Sequence, residues 1–266
     1  MSIICKENTM DFYGFYTGKI FDAYKYLGAH TEKQGVTFHT FAPSASRIAL
    51  IGEFNDWQEW DMNKVSDGNF WECYVPQAKA GQMYKYRIYD RSGNAVEHCD
   101  PYGFGMELRP NSASIIRDMN KYKFKDSQWM QNRSDCRQKP LNIYEIHFGS
   151  FRKPSDKADD WYNYEEMIDI LIPYLTKNGY NYLEIMPLNE YPCDESWGYQ
   201  ATGFFSPTSR YGTADQLKAF VDACHKHGIG VLMDFVPVHF AVDSYGLANY
   251  DGTSLFEYPN SAVGVS

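Results

Sequence analysis

The sequence predicts a β-rich domain followed by an α/β domain of parallel strands and helices. Three observations lead to this fold class. Between residues 35 and 116, apolar and polar positions alternate in short runs that turn signals separate. From residue 141 onward, apolar runs alternate instead with helical patterns. The hydrophobic share of 44% over 266 residues is enough for one large core or two ordinary ones.

The first region contains four runs with the period of a half-buried strand, at residues 36–41, 47–51, 70–75 and 84–89. Turn-forming residues lie around these runs, at positions 42–44, 67–69, 80–82 and 92–94. Short strands at this spacing, without a convincing helical pattern, predict a β-sandwich of about 80 to 100 residues.

The second region opens with an apolar run at residues 143–148, which predicts a strand, and continues with a helical pattern. Apolar residues recur there with helical spacing, at Met167, Ile170, Leu171, Tyr174 and Leu175. Asn163 and Glu166 have the spacing of a capping pair, and Gly179 is expected to end the helix. Pro173 lies inside the pattern and predicts a kink.

A second apolar run, at residues 182–187, leads through a long loop to a second predicted helix that begins near Ala214. Thr213 and Gln216 have the spacing of a capping box, and Gly228 is the expected stop. A third strand is predicted over residues 230–237. This β-α-β-α-β order implies parallel strands, in either a doubly wound sheet or the opening of a (β/α)₈ barrel.

A polar stretch at residues 126–139, with five charges of mixed sign, is the predicted connector between the two regions. We therefore expect three parts. Residues 1–125 form the β-sandwich with an N-terminal extension, residues 126–140 the connector, and residues 141–266 the α/β domain.

Composition narrows the class of ligand. Lys and Arg total 25 against 34 for Asp and Glu, a net charge of -9, which argues against nucleic acid as the main partner. The aromatic share is 17%, and aromatic rings stack well on sugars. Without a run of about 18 apolar residues or a leader-like start, the sequence predicts a soluble cytoplasmic protein with no membrane partner. The six cysteines are scattered and predict reduced structural thiols.

Two places in the α/β region are candidate functional positions. Asp234 follows the core of the third predicted strand, and His239 lies five residues further on. Ligands of parallel α/β folds gather at the carboxyl ends of strands, so these side chains are expected to face one pocket. The loop at residues 195–213 is long and rich in rings, and Tyr199 within it is suited to stacking on a pyranose. The alternative is that these residues only cap loops and pack.

Three ordered motifs carry a resemblance to a known family: SWGYQATGFFSPTSRYGT at 196–213, MDFVPVHF at 233–240 and YDGTSLFEY at 250–258. Together they resemble the 1,4-α-glucan (glycogen) branching enzymes of glycoside hydrolase family 13, the α-amylase superfamily. The segment GEFNDW at 52–57 resembles the immunoglobulin-like carbohydrate-binding module of family 48. The resemblance extends from about Phe12 onward, and it implies a family-48-like β-sandwich followed by the first three β/α units of a (β/α)₈ barrel.

The resemblance also implies roles for individual residues. Asp234 and His239 match the first conserved region of the superfamily, where the Asp helps to organise the catalytic centre and the His contacts the sugar. Tyr199 matches the aromatic platform of the sugar subsite that this His contacts, the one before the scissile bond. Trp57 and Lys85 match glycan-contacting positions, although residues 93–96 contain no second binding tryptophan. Val238 stands where hydrolytic amylases usually carry Asn, which favours a branching enzyme.

The implied reaction is a retaining double displacement on an α-1,4-glucan that forms α-1,6 branches, without a metal or other cofactor. Such a reaction needs two carboxyl groups about 5 to 5.5 Å apart. In the family these are an Asp and a Glu after the fourth and fifth barrel strands, and no matching segment occurs here. Glu145 and Glu184 lie in predicted strands but match no catalytic motif. The 266 residues alone are therefore expected to be inactive.

Two alternative functions stay open at this point. One is an amylase- or debranching-type hydrolase, which product analysis of the longer protein distinguishes from a transferase. The other is a non-catalytic protein that holds glycogen through its β-domain.

Overall fold

The computed structural model describes residues 9–133 and 139–259 of the chain. The N-terminal part contains helix α1 (Phe12–Tyr16) and strands β1 (Gly28–Thr31), β2 (Val36–Phe41), β3 (Arg47–Gly52), β4 (Trp60–Asp61), β5 (Asn63–Val65), β6 (Phe70–Val75), β7 (Met83–Tyr89), β8 (Ala95–His98) and β9 (Ser114–Ile115). The remainder contains α2 (Ser127–Asn132), β10 (Ile143–Ile146), α3 (Phe148–Phe151), α4 (Glu166–Lys177), β11 (Tyr182–Ile185), β12 (Asn189–Glu190), β13 (Gly203–Pro207), α5 (Ala214–Lys226) and β14 (Gly230–Met233).

Strands β1 to β9 form two antiparallel sheets. One has the order β1-β2-β6-β5, and the other has the order β4-β3-β7-β8 with β9 paired to β7. Residues of β7 alternate between buried and half-buried positions, as the period-two pattern predicts. Phe38, Leu50 and Tyr84 are fully buried in the core between the sheets. The predicted β-sandwich is confirmed, and its four predicted strands are correct to within one residue.

The α/β part is built on a parallel sheet of order β10-β11-β14. Glu145 pairs with Glu184, and Glu184 pairs with Leu232, so these three residues share one face of the sheet. Leu183, Ile185 and Ile146 point to the other face, where they are buried in a core with the residues of α4 and α5. The predicted β-α-β-α-β order is confirmed.

Local hydrogen bonds explain where the two long helices begin. Asn163 Oδ1 accepts from the backbone N of Glu166 at 2.9 Å, and Glu166 Oε2 accepts from the backbone N of Asn163 at 2.8 Å. Thr213 and Gln216 form the predicted capping box of α5. Helix α4 continues through Pro173, and the expected kink there stays a prediction.

Three predicted strands are too long at their carboxyl ends. The strands predicted over 143–148, 182–187 and 230–237 end at Ile146, Ile185 and Met233. Apolar residues continue beyond each strand, but Phe148 starts α3, and Pro187 and Pro237 have no N–H to donate to a ladder. The length of an apolar run therefore overestimates the length of each of these strands.

Helix α2 lies within the predicted connector and packs against α5. The Trp129 ring stacks on His225 with centroids 4.8 Å apart, and His225 Nδ1 lies 2.8 Å from Asp126 Oδ2. Residues 134–138 of this connector lie outside the described residues.

The described cysteines, Cys73, Cys99, Cys193 and Cys224, are free thiols, whereas Cys5 and Cys136 lie outside the described residues.

The chain after β14 returns to the β-sandwich through a segment that we call the docking segment, residues 245–256. Tyr250 of this segment is fully buried in the sandwich core, and Leu255 and Phe256 pack against the same core. The Tyr250 hydroxyl lies 2.7 Å from Thr40 Oγ1 on β2. The α/β part therefore supplies part of the core of the β-sandwich.

Candidate functional site

The candidate site lies at the carboxyl edge of the parallel sheet, where two loops meet. The first loop follows β11 and carries Tyr199. The second follows β14 and carries Asp234 and His239. Carboxyl edges of parallel strands are where ligands of α/β folds bind, as the sequence analysis expects.

Tyr199 and Asp234 form the central contact of the site. The Tyr199 hydroxyl donates to Asp234 Oδ2 at 2.7 Å, which joins the first loop to the end of β14. The turn before Tyr199 requires glycine at position 198. Gly198 has a φ of +92°, and a Cβ there would lie 2.4 Å from the carbonyl oxygen of Pro187. This close approach places the tyrosine ring beside the strand ends.

The electrostatic surroundings of Tyr199 are negative. Its hydrogen bond to Asp234 raises the pKa of Tyr199 to about 12, and partial burial and the charges of Asp234, Glu145 and Glu184 act in the same direction. Tyr199 therefore stays a neutral donor at neutral pH. The two glutamates are paired on neighbouring strands, so their carboxylates act on the same space.

His239 is half-buried in the second loop, in a span that is held at its two ends. At one end, the backbone N of Asp234 donates to the carbonyl of Ile185 at 2.9 Å. At the other, the backbone N of Ala241 donates to the carbonyl of Ala201 at 3.0 Å. The structure therefore brings Tyr199 and Asp234 into contact and places His239 in the same loop as Asp234.

An ion-pair network that the sequence analysis missed holds the first loop. Arg210 Nη1 lies 2.8 Å from Glu190 Oε1, and both side chains are almost fully buried. The Arg210 guanidinium also stacks over the Tyr191 ring at 3.7 Å and pairs with Asp194. Asp194 in turn binds Arg109 of the N-terminal part. Arg210 is the single charged residue between positions 196 and 214, and no sequence pattern marks it as buried, because charged residues are normally exposed.

Trp57 and Lys85, the candidate residues of the β-sandwich, lie in the turn after β3 and on β7. Trp57 has a φ of +58° and an exposed fraction of 38%. Lys85 Nζ lies 3.7 Å from Glu97 Oε2 on the neighbouring strand β8. Their roles in glycan binding stay predictions.

The described part of the chain is residues 9–133 and 139–259. Among these residues, no group of three His, Cys, Asp or Glu side chains is arranged to bind a metal ion. Within the same ranges, no helix has the length and apolar character needed to cross a membrane.

Two family models match separate parts of the chain. Residues 26–103 match "Carbohydrate-binding module 48 (Isoamylase N-terminal domain)". Residues 156–250 match "Alpha amylase, catalytic domain". The second match favours the opening of a (β/α)₈ barrel over a doubly wound sheet, which strand order alone does not distinguish.

Two branching enzymes are similar to nearly the whole of this chain. The 1,4-alpha-glucan branching enzyme GlgB of Fusobacterium nucleatum is 42% identical over 98% of this chain and 43% of its own length. That of Dechloromonas aromatica is 44% identical over 95% of this chain and 41% of its own length. The chain thus spans about two fifths of the length of these relatives.

A solved structure supports the same fold. The crystal structure described as "Putative alpha Amylase from Salmonella typhimurium" has a TM-score of 0.65 and 25% identity, and covers 82% of this chain and 34% of that chain. The predicted fold class, a family-48-like β-sandwich followed by the first part of an α-amylase barrel, is confirmed.

Proposed function

Because this chain is homologous over nearly its whole length to the N-terminal part of the 1,4-alpha-glucan branching enzymes, we propose that it carries one wall of a glucan-transfer site. The whole protein cuts an α-1,4-glucan with retention and passes the cut chain to a 6-hydroxyl. It acts in the cytoplasm on glycogen-type glucans. Residues 1–125, 126–140 and 141–266 are its sandwich, its connector and the first part of its barrel.

The hydrogen bond between Tyr199 and Asp234 is the observation that carries this proposal. It fixes the tyrosine ring as a platform on which one face of a glucose unit stacks. Asp234 Oδ2 accepts from the tyrosine, and Oδ1 has no protein partner among the described residues. That oxygen is placed to accept from a sugar hydroxyl, and His239 supplies a second polar contact.

The negative surroundings of the site fit the chemistry of glycosyl transfer. Retaining enzymes pass through transition states with oxocarbenium character, which carry positive charge on the sugar ring. Glu145, Glu184 and Asp234 together act on the Tyr199 hydroxyl, so the negative potential reaches the space beside the ring. These carboxylates would stabilise such a charge, while the nucleophile and the acid come from barrel strands that the family places after the third.

Glucan binding by this wall is tested with the 266-residue chain and maltoheptaose in isothermal titration calorimetry. Tyr199→Phe and Asp234→Asn should each weaken binding about 5-fold, the effect of about one hydrogen bond. Tyr74→Phe is the matched control, because Tyr74 also donates its hydroxyl, at 2.8 Å, to the carbonyl of Gln34 in the sandwich. Equal affinities for all four proteins would overturn the assignment of this site.

Catalysis is tested with two proteins. The chain alone should leave the iodine absorption of amylose unchanged, whereas the longer protein with the complete barrel should form α-1,6 linkages. Release of reducing sugar without new branches would instead identify a hydrolase.

The match of residues 26–103 to a carbohydrate-binding module favours a second glucan contact on the sandwich. Glycogen retention should fall in Trp57→Ala and persist in Trp60→Ala. Trp60→Ala is the matched control, because both tryptophans have an exposed fraction of 38%. Equal retention of both variants would exclude Trp57 as a contact.

A further inference from the structure

We propose that the β-sandwich positions the candidate glucan site through the docking segment, with Tyr250 as the principal positioning residue. This inference rests on the proposed function of Tyr199, Asp234 and His239. It assigns the sandwich a task that is separate from any glycan contact on its own surface.

Side chains of the docking segment bond to the sandwich at two points. The Tyr250 hydroxyl lies 2.7 Å from Thr40 Oγ1. The backbone N of Ser44 donates to Asp251 Oδ2 at 2.8 Å. Both partners belong to β2 or to the turn after it, so they move with the sandwich.

Two backbone carbonyls of the docking segment also bond to the sandwich. The backbone N of Cys99 donates to the carbonyl of Tyr245 at 2.8 Å, and His98 Nδ1 lies 2.9 Å from the carbonyl oxygen of Gly246. The buried His98 ring further contacts the Tyr250 ring, with centroids 5.0 Å apart. The segment is therefore attached along its length rather than at one residue.

The span that carries His239 depends on this attachment. Among the described residues, no hydrogen bond joins positions 235–240 to the rest of the chain, but the Phe235 ring contacts Phe204 of β13 edge-on, with centroids 5.9 Å apart. Their position is set by this ring contact and by the two ends of the span, at Asp234 and at Ala241. The second end bonds to Ala201 of the first loop and continues within four residues into the docking segment, so its position depends on that loop and on the sandwich.

The loop that carries Tyr199 also contacts the sandwich region. The Phe205 ring stacks on Tyr102 with centroids 4.8 Å apart, and Ser209 Oγ donates to the carbonyl of Met106. Both loops of the site thus contact the sandwich region, the first directly and the second through the docking segment. Holding ligand-binding groups in place before the ligand arrives raises affinity, because less conformational freedom is lost on binding.

The test uses the full 266-residue chain and two substitutions that remove the same hydrogen bond from opposite sides. Tyr250→Phe removes the hydroxyl and keeps the ring, and Thr40→Val removes its partner on β2. Tyr86→Phe is the matched control, because the buried Tyr86 hydroxyl donates to Asp100 at 3.0 Å and not to the docking segment. Amide hydrogen exchange and the dissociation constant for maltoheptaose are measured for each protein.

We expect exchange to rise about 5-fold at residues 198–203 and 234–246 in both variants, and affinity for maltoheptaose to fall with it. The double variant should show no further change, since one bond is removed in each case. Tyr86→Phe should leave exchange at these residues unchanged.

An increase confined to residues 36–41 and 247–256 would overturn the inference, because it would show a contact that only stabilises the sandwich. If Tyr250→Phe fails to fold, Thr40→Val decides alone. If maltoheptaose binding is insensitive to Tyr199→Phe and Asp234→Asn, the proposed function fails, and the exchange data still decide whether the sandwich holds the loops.

Discussion

The β-sandwich and the parallel sheet cover their faces in different ways. The two sheets of the sandwich enclose one core, with Phe38 and Leu50 fully buried in it. Helices α4 and α5 cover one face of the parallel sheet, whereas Ile143, Glu145 and Leu232 on the other face are exposed. Parallel sheets are normally covered on both faces. The comparison shows that, among the described residues, helices cover one face of the parallel sheet and leave the other exposed.

The two regions also differ in how local their stabilising contacts are. Helix α5 is capped by Thr213 and Gln216, three residues apart. The sandwich core instead includes Tyr250, whose hydroxyl partner Thr40 is 210 positions away in the sequence. The sandwich therefore depends on the region that follows it, although it comes first in the chain.

The largest expected effect is the loss of stability when the Tyr250 side chain is removed from the sandwich core. Tyr250→Ala should lower the free energy of unfolding by about 3 to 5 kcal/mol, the cost of deleting a buried aromatic side chain. Urea unfolding of the full chain measures this loss. Tyr74→Ala is the control, because Tyr74 is an exposed tyrosine of the same sandwich, and its loss should cost about 1 kcal/mol or less. Equal losses would mean that the docking segment contributes no core.

The next prediction compares the loss of stability on truncating a leucine on each face of the parallel sheet. Leu183→Ala should lower the free energy of unfolding by about 3 kcal/mol, because Leu183 is fully buried beneath the helices. Leu232→Ala should cost less than about 1 kcal/mol, since its side chain is already exposed. Thermal and urea unfolding of both variants provide the comparison, and a large loss for Leu232→Ala would show that its face is covered in solution.

The smallest effect is a dependence on pH within the sandwich. Burial raises the pKa of Asp100 to about 6, even though the hydroxyls of Tyr84 and Tyr86 donate to its carboxylate. A carboxyl with a raised pKa in the folded state stabilises the fold fully below its unfolded value near 3.8, and this contribution is lost as pH rises through about 6.

The advantage of the parent chain over Asp100→Asn should therefore fall by about 2 kcal/mol between about pH 4 and pH 7. Urea unfolding at several pH values measures the difference between the two proteins. Burial lowers the pKa values of His30, His39 and His98. Their contribution to the pH dependence of stability is common to both proteins and cancels in this difference. A constant difference would contradict the prediction.

Much of the candidate site follows from local sequence. A strand whose apolar core is followed by Asp234 and a ring-rich loop around Tyr199 are visible as patterns, and parallel strand ends lie at one edge. The 2.7 Å bond between these residues is not visible there, because it depends on the turn at Gly198 against Pro187. The buried pair of Arg210 and Glu190 is also not visible in the sequence, because charged residues normally indicate surface positions.

The sequence by itself determined the order of strands and helices, the helix caps and the resemblance to the branching enzymes, because these depend on periodicity and on motifs of neighbouring residues. The tertiary structure alone decided where the strands end, which face of the parallel sheet is covered and that Tyr250 completes the sandwich core. Those features depend on contacts between distant positions, which the pattern of adjacent residues does not contain.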